Sequence, residues 1–361
     1  MLTNLSPSAR GDAQLSESKS HAESWVVHLA GEPLAQVFLA PLSGITDVPF
    51  RTLVRSFGTK MVYSEMVASG EILKGDAESR MRAGADGQGL HAVQLAGRDA
   101  DAMEAAARLV AGEGADLVDI NMGCPAKKVV GGLSGASLMR DLDQATRLIE
   151  ATVRGAGTVP VTLKMRLGWD RTSINAPELA RRAEGAGIRL VTVHGRTRDQ
   201  FYEGAADWTA IRAVKAAVSI PVVANGDLVT AEQLAPMREA SGADAVMVGR
   251  GACGRPWFPA VLAGQMSEAS WRRSLADLVA AHYEAMLRHY GATVGVRHAR
   301  KHLGWYLDGF ADATGSDLAA DRSALLREGD PTLVARRLKA LFGRSTIADV
   351  ERPDATDRKA A

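Results

Sequence analysis

The 361-residue sequence predicts an α/β fold, a (β/α)8 TIM barrel followed by a small C-terminal all-helical domain. Two observations lead to this prediction: short apolar runs alternate with helical stretches from residue 36 onward, and the alternation stops after Phe258. Eight such runs over about 220 residues suit a barrel of this kind, whose typical length is about 250 residues. A doubly wound sheet would carry a G-x-G-x-x-G turn after its first strand, and Pro41-Leu42-Ser43-Gly44 lacks that pattern.

The predicted strands are short apolar runs, as parallel strands buried on both faces are. They span Gln36–Ala40, Met61–Ser64, His91–Leu95, Leu117–Ile120, Val161–Met165, Leu190–His194, Val222–Ala224 and Ala245–Val248. The predicted crossover helices carry apolar residues at helical spacing. They span Ala102–Gly112, Leu142–Arg154, Pro177–Gly185, Trp208–Ala217 and Ala231–Ala240. Residues 270–342 contain no β-rich run and predict about four helices.

These patterns divide the chain into four segments. Residues 1–30 form a polar N-terminal extension that lacks the apolar stretch of a signal peptide, and we expect it to be disordered. Residues 31–262 form the barrel and residues 263–343 the helical domain. Residues 344–361 are polar and predict a flexible tail.

Composition limits the class of protein. Hydrophobic residues make up 46% and charged residues 24% of the chain, which is ordinary for a soluble globular protein, and no apolar run approaches the roughly 20 residues of a membrane span. The two cysteines, Cys124 and Cys253, allow at most one disulfide, which favours a reducing compartment, the cytoplasm. A net charge of +1 provides no general attraction to nucleic acid, so RNA binding would require a local basic patch.

The stretch from Leu117 to Met139 contains the most distinctive chemistry. A buried strand ends just before Gly123-Cys124-Pro125, and Pro125 keeps Cys124 out of helical geometry. A thiol at the carboxyl end of a barrel strand is placed for catalysis. The alternative is a small buried hydrophobic residue, since free cysteine is often buried. The neighbouring polar residues, Asn121 and Lys127-Lys128, favour the catalytic interpretation.

Nearly every predicted strand ends in a polar or charged residue, which predicts an active site at the carboxyl end of the barrel. After the seventh and eighth strands come Asn225-Gly226-Asp227 and Gly249-Arg250-Gly251, where barrels commonly bind phosphate. The alternative is two tight turns with a solvated arginine. No spacing of His, Asp or Glu resembles a metal site, so no metal is expected.

Two further strand-end residues are candidates. The alternation of Val161–Arg166 places Lys164 on the same strand face as Thr162 and Arg166, and we expect this face to point into the barrel interior. A lysine there requires a negative charge or a polar ligand as a partner. The alternative is a structural salt bridge to Glu65 or Asp119. His194 also fits a satisfied core histidine, and alone it decides nothing.

Seven motifs in order resemble the tRNA-dihydrouridine synthase family. They are Leu39–Arg51, Gln94–Gly97, Asp119–Pro125, Lys164–Arg166, Val193–Thr197, Ala224–Asp227 and Val248–Gly251. The segment Val296–Tyr306 is similar to the bacterial B-type branch, and the resemblance covers residues 36 to about 310. The sequence departs from the family at Pro41-Leu42-Ser43, where Pro-Met-Ala is common, and in a glycine-rich stretch at 129–134.

The resemblance implies an FMN-binding barrel that reduces the C5–C6 bond of particular uridines in tRNA, with NADPH or NADH as electron donor. It implies that the cofactor is bound by Pro41, Leu42, Ser43, Gln94, Lys164, His194, Asn225, Gly226, Asp227, Gly249 and Arg250. Cys124 would be the catalytic proton donor to C5, and Lys164 would stabilise the anionic reduced flavin. Asn121 would contact the target uracil, with Arg166 on the substrate side.

The helical domain carries a basic stretch from Ala285 to Leu307 with no acidic residue and three interleaved aromatics. Such a pattern suits RNA, and we assign Arg297, Arg300 and Lys301 to tRNA contacts. The alternative is a helix with a solvated basic face. The protein is expected to be monomeric. The sequence leaves the uridine position and the choice of NADPH or NADH open.

Two other functions fit parts of the sequence. An FMN-dependent barrel reductase acting on a free pyrimidine or another small enone would share the flavin residues but would not need residues 270–342. A catalytically idle RNA-binding protein would keep the basic stretch, but the intact Cys124 and Lys164 argue against it.

Overall fold

The computed structural model describes residues 27–29, 32–34, 36–87 and 89–351. Within these ranges the strands are β1 (Val27–Leu29), β2 (Glu32–Leu34), β3 (Val37–Leu39), β4 (Met61–Ala68), β5 (Ala92–Ala96), β6 (Leu117–Met122), β7 (Val161–Arg166), β8 (Val191–His194), β9 (Val222–Asn225) and β10 (Ala245–Val248). The barrel and its flanks carry α1 (Val48–Arg55), α2 (Ser69–Leu73), α3 (Ala77–Ala83), α4 (Ala100–Gly112), α5 (Lys127–Gly131), α6 (Leu142–Ala156), α7 (Ala176–Gly185), α8 (Trp208–Ala217), α9 (Leu234–Ser241) and α10 (Phe258–Leu262). The C-terminal helices are α11 (Glu268–Trp271), α12 (Leu275–Tyr290), α13 (Ala292–Thr314), α14 (Ala319–Arg327), α15 (Pro331–Phe342) and α16 (Ile347–Glu351). Short 3-10 helices span Gly135–Arg140, Ala231–Gln233 and Arg250–Ala252.

Strands β3 to β10 form a closed parallel barrel in chain order, and β10 completes it by pairing with β3. The predicted barrel is therefore confirmed. All eight predicted strands are present, but several ends differ. Strand β4 continues four residues past its predicted end at Ser64, to Ala68, and β6 continues to Met122. The apolar pattern alone missed these ends because polar residues such as Glu65 and Asn121 belong to the strands.

The barrel interior changes from apolar to polar along its axis. Phe38, Met61, Tyr63, Leu117 and Met247 are at most 1% exposed and fill the amino-terminal half. In β5, β6 and β9 the apolar layer contains Ala92, Leu117 and Val223, and the side chains two residues later, which share their face, are polar. They are Gln94, Asp119 and Asn225. The apolar layer closes the barrel below, so the polar layer becomes the floor of a site that opens at the carboxyl ends.

The helical domain shares a core with the barrel. Leu53, Phe57 and Trp257 of the barrel belong to the same buried cluster as residues of α12, α13 and α15. Four helices, α12 to α15, lie within the described residues 270–342, close to the predicted number, and α11 ends at Trp271 at the start of this range. Because this core crosses the domain boundary, the two parts of the chain pack as one folded body.

Both predicted terminal segments differ from the structure where it describes them. Val27–Leu29 falls in the extension predicted to be disordered, yet it pairs with Glu32–Leu34; residues 1–26 lie outside the described residues. In the predicted flexible tail, Ile347–Glu351 forms a helix, and Glu351 accepts a hydrogen bond from Trp257 Nε1 at 2.8 Å. This polar segment is ordered by one buried apolar side chain, Ile347, and one buried ion pair with Arg255. Residues 352–361 lie outside the described residues.

Among the described residues, no helix is both long and apolar enough to cross a membrane.

Candidate active site

A cavity of about 610 Å³ opens at the carboxyl end of the barrel. Residues from all eight barrel strands or the loops that follow them line it. They include each barrel residue that the sequence analysis assigned to cofactor or substrate: Pro41, Leu42, Ser43, Gln94, Asn121, Cys124, Lys164, Arg166, His194, Asn225, Gly226, Asp227, Gly249 and Arg250. The parallel strands bring these residues together although they are spread over about 210 residues of chain.

A chain of hydrogen bonds crosses the floor of the cavity. Buried Asp119 accepts from Thr162 Oγ1 and from Gln94 Nε2, each at 2.6 Å. Gln94 Oε1 in turn accepts from Asn121 Nδ2 at 2.8 Å. Burial raises the pKa of Asp119 to about 6. Because Asp119 only accepts when ionised, it fixes the orientation of the Gln94 amide and, through it, that of Asn121.

The same chain ends at the backbone of Cys124. Asn121 Oδ1 accepts hydrogen bonds from the N–H groups of Gly123 at 3.1 Å and Cys124 at 2.9 Å. On the other side, Gly135 has φ +60°, and an added Cβ would lie 2.8 Å from the Cys124 carbonyl oxygen. The Cys124 loop is thus held between an amide on β6 and a close backbone approach.

Arg166, which the sequence analysis assigned to the substrate side, is engaged by backbone carbonyl groups. It is 1% exposed, and it donates to the carbonyl oxygens of Gly123, Thr197 and Phe201, each at 2.8 Å. Burial lowers its pKa to about 10, so it stays protonated at neutral pH. These contacts hold the loops after β6 and β8, although the side chain also borders the cavity.

Lys164 faces the cavity, as the alternation in β7 predicted. Its Nζ donates to Asn225 Oδ1 at 3.1 Å, and in the part of the chain that the structure describes it forms no ion pair with Glu65 or Asp119. The alternative of a structural salt bridge is therefore not observed. Burial, followed by the charge of Arg166, lowers the pKa of Lys164 to about 8. A negatively charged or polar ligand beside this buried amine would stabilise its protonated form.

His194 lines the cavity as a neutral imidazole. Burial, together with the charges of Lys164 and Arg166, holds its pKa well below the ordinary value. Arg196 Nη1 lies 3.3 Å from His194 Nε2, and since arginine only donates, Nε2 is the acceptor and the ring proton is on Nδ1.

The two predicted phosphate loops meet through an ion-pair network. Asp227 accepts from Arg196 Nη1 at 2.8 Å and lies 3.5 Å from Arg250 Nη2. Burial raises the pKa of Asp227, but the hydrogen bonds from Arg196 and from Ala206 N–H hold it below the ordinary value. A carboxylate bound in this way cannot itself hold a phosphate. It positions Arg250, whose side chain is 54% exposed at the cavity.

Sequence reasoning missed Tyr202, which stands at the mouth of the cavity and is 49% exposed. The guanidinium groups of Arg250 and Arg166 lie 4.7 and 5.5 Å from its ring centroid. Tyr202 comes eight residues after His194, in a loop, and the search of strand ends did not reach it. An aromatic residue in a loop after a barrel strand was the available signal.

The three residues assigned to RNA differ in exposure. Arg297 is exposed, Arg300 is half-buried with no hydrogen-bond partner for its Nε, and Lys301 is half-buried beside Gly44. None of them lines the cavity.

The cavity fits a flavin mononucleotide. Its volume lies in the range of cofactor sites. Lys164 provides a cation for an electron-rich ring, and Arg250 provides one for a phosphate. At Gly226, where φ is +127°, an added Cβ would lie 2.7 Å from Ala206 Cβ, so glycine allows the loop after β9 to pack closely against the loop after β8. The described residues contain no cluster of three His, Cys, Asp or Glu that could hold a metal.

Residues 38–332 match the model of the dihydrouridine synthase (Dus) family. The chain belongs to the dihydrouridine synthase family. Members of this family are FMN-dependent oxidoreductases, so the prediction of a flavin-dependent enzyme of tRNA dihydrouridine synthesis is confirmed at the level of the family.

Relatives agree over most of the chain. A probable tRNA-dihydrouridine synthase of Rhizobium leguminosarum bv. phaseoli is 56% identical over 303 residues, covering 84% of this chain and 94% of the relative. A tRNA-dihydrouridine synthase B of Xanthomonas campestris pv. campestris is 45% identical, covering 75% of this chain and 83% of the relative. The resemblance to the B-type branch is thereby supported.

Among solved structures, histamine dehydrogenase from Rhizobium sp. 4-9 is similar in fold. The TM-score is 0.52 at 13% identity, with 73% of this chain and 51% of that chain covered. At this identity the likeness concerns the barrel fold alone.

Proposed function

We propose that this dihydrouridine synthase reduces the C5–C6 double bond of specific uridines in tRNA with bound FMN, which NADPH or NADH re-reduces. The observation that carries the proposal is the position of Cys124. Its thiol borders a flavin-sized cavity that also presents Lys164 and the loops after β9 and β10. An acid, a cation and an anion-binding pair of loops around one cavity are the groups that this reduction requires.

The cofactor would lie with its phosphate at the loops after β9 and β10. Arg250, Gly226 and Gly249 bind the phosphate, and Asp227 acts through Arg250 and Arg196. Pro41, Leu42, Ser43, Gln94, Lys164 and His194, which line the cavity, would hold the ring. Asn225 fixes Lys164, because its side-chain oxygen accepts from Nζ while its amide donates to Met247 O at 2.8 Å.

In this site a bound, reduced FMN would be the source of the hydride for C6 of the uracil. Cys124, as a protonated thiol, donates its proton to C5, and the thiolate that results regains a proton from solvent. Lys164 stabilises negative charge near the pyrimidine end of the ring system. Asn121 contacts the uracil and at the same time holds the Cys124 backbone.

The substrate is tRNA, and the enzyme acts as a monomer in the cytoplasm. Arg297 and Arg300 contribute positive charge on α13, and phosphate contacts of this kind dominate affinity for RNA. The target uridine must leave its base stack to enter a cavity inside the barrel. The protein must therefore also bind the RNA at a surface outside the cavity.

The test is a map of dihydrouridine by position in tRNA from cells that lack this gene, complemented with wild type or with Cys124→Ala. We expect dihydrouridine to be lost from one position and restored by the wild type only. An unchanged map, in a host without a second synthase, would contradict the proposal and favour a reductase of small molecules.

A further inference from the structure

Helix α13 contacts two of the loops that line the cavity. At Gly44, in the loop after β3, an added Cβ would lie 3.1 Å from Lys301 Nζ. At Gly254, which follows the phosphate loop after β10, an added Cβ would lie 2.6 Å from the Trp305 carbonyl oxygen. Residues 301 and 305 are one turn apart and share a face of the helix. The helical domain therefore packs directly against the frame of the cavity.

Charged groups contact the loop after β3 on the side that faces away from the cavity. Pro41, Leu42 and Ser43 line the cavity, whereas the N–H of Gly44 donates to the carboxylate of Glu65. Glu65 is 2% exposed, and its ion pair with Arg82 is long, at 3.9 Å. A buried carboxylate with so weak a partner needs further positive charge nearby. The Lys301 ammonium lies beside Gly44 and interacts electrostatically with Asp47 and with Glu65.

The end of the same loop has its own contact to the helical domain. Asp47 accepts from Phe50 N–H at 3.0 Å, which caps α1, and from Tyr290 Oη at 3.0 Å. The Tyr290 ring stacks on His298 of α13, with centroids 4.3 Å apart. The loop after β3 is thus tied to α12 and α13 at two points, Gly44 and Asp47.

We propose that Lys301 is a positioning residue for the loop that contacts the flavin, and that the helical domain thereby forms part of the flavin site. This inference rests on the proposed function. It replaces the assignment of Lys301 to tRNA. It also makes FMN binding depend on the packing of α13, and by linkage the flavin stabilises that packing in return.

The test compares Lys301→Met with Arg297→Met in the full-length protein. Both changes remove one cation from α13 and keep an unbranched side chain, but Arg297 is exposed, and its Nε donates to the carbonyl oxygen of Thr293 within α13. The dissociation constant for FMN is measured by flavin fluorescence on flavin-free protein. Affinity for unmodified tRNA is measured on the FMN-saturated protein.

We expect Lys301→Met to weaken FMN binding about tenfold, since a buried carboxylate then loses its nearby cation, and to change tRNA affinity less than twofold. Arg297→Met should leave FMN affinity unchanged. Wild-type FMN affinity in Lys301→Met would overturn the inference, and so would a loss of tRNA affinity at saturating FMN.

A second variant addresses the possibility that Lys301→Met does not fold. Tyr290→Phe removes only the hydroxyl that bonds Asp47, and we expect it to weaken FMN binding about threefold with the same thermal midpoint. FMN affinity equal to wild type in this variant would contradict a link through Asp47. A wild-type protein that binds no FMN at all would instead contradict the proposed function.

Discussion

Asn121 Oδ1 lies 2.9 Å from the backbone nitrogen of Cys124 and accepts its hydrogen bond. The residue proposed to contact the uracil therefore also sets the position of the residue proposed to protonate it. A change at Asn121 should act on both, and the two effects can be separated.

We expect Asn121→Ala to lower the single-turnover rate on tRNA about 100-fold, because small displacements of a catalytic group have effects of this size. FMN affinity should stay within threefold of wild type. The rate of Cys124 alkylation by iodoacetamide reports the reactivity and accessibility of the thiol, and it should change if the loop moves. A variant with wild-type alkylation and a slow turnover would show that only the uracil contact was lost.

Gly135, which contacts the Cys124 loop on the side opposite Asn121, can be tested by substitution, and Gly131 provides the control position. Gly135→Ala should lower the free energy of unfolding by about 1–3 kcal/mol, because φ is +60° and the added Cβ would meet the Cys124 carbonyl oxygen and Val129. Gly131 ends α5 with nothing within 4 Å of an added Cβ, so Gly131→Ala should be neutral or slightly stabilising. Urea denaturation checks both; equal effects would contradict this account.

Asp119 should make stability depend on pH. Its folded-state pKa, about 6, lies above the ordinary value of 3.8, so the native state binds more protons than the unfolded state between these values, and the contribution of Asp119 to stability falls as pH rises from 4 to 6. Asp119→Asn removes this cost. Relative to wild type, the variant should gain up to about 3 kcal/mol between pH 4 and pH 7. Chemical denaturation at both pH values measures the difference, and an equal difference at both would refute the role of Asp119.

Lys164 should make FMN binding depend on pH. With a pKa of about 8 in the flavin-free protein, the amine loses its proton as pH rises from 7 to 9, and with it the positive charge that favours the ring. We expect FMN affinity to fall about fivefold over this range and the fall to be absent in Lys164→Met. A parallel fall in the variant would assign the effect to another group.

Much of the barrel could be predicted because its signals are local. Each strand is a short apolar run, and residues two apart share a face, so Lys164 could be directed to the interior from the alternation of Val161–Arg166 alone. The ends of strands were predicted less well, since polar residues such as Glu65 belong to a strand for reasons that lie in the site. Tyr202 could not be found from strand patterns, because residues in a loop do not follow the alternation of apolar and polar residues that marks a strand.

The partners of the site residues could not be predicted. Gln94, Asn121 and Arg166 were assigned to ligands, but in the fold they also bind Asp119, Cys124 and loop carbonyls. Lys301 was assigned to RNA from a basic stretch with interleaved aromatic residues, whereas its position beside Gly44 depends on how α13 packs on the barrel.

The sequence by itself determined the barrel, the helical domain that follows it, the family and many of the residues that line the cavity, because these depend on periodicity and on motifs read along the chain. Only the tertiary structure decided which of those side chains face a ligand and which hold a neighbour. Hydrogen bonds and ion pairs between different strands depend on distances of about 3 Å, and those distances are set by packing of residues far apart in sequence.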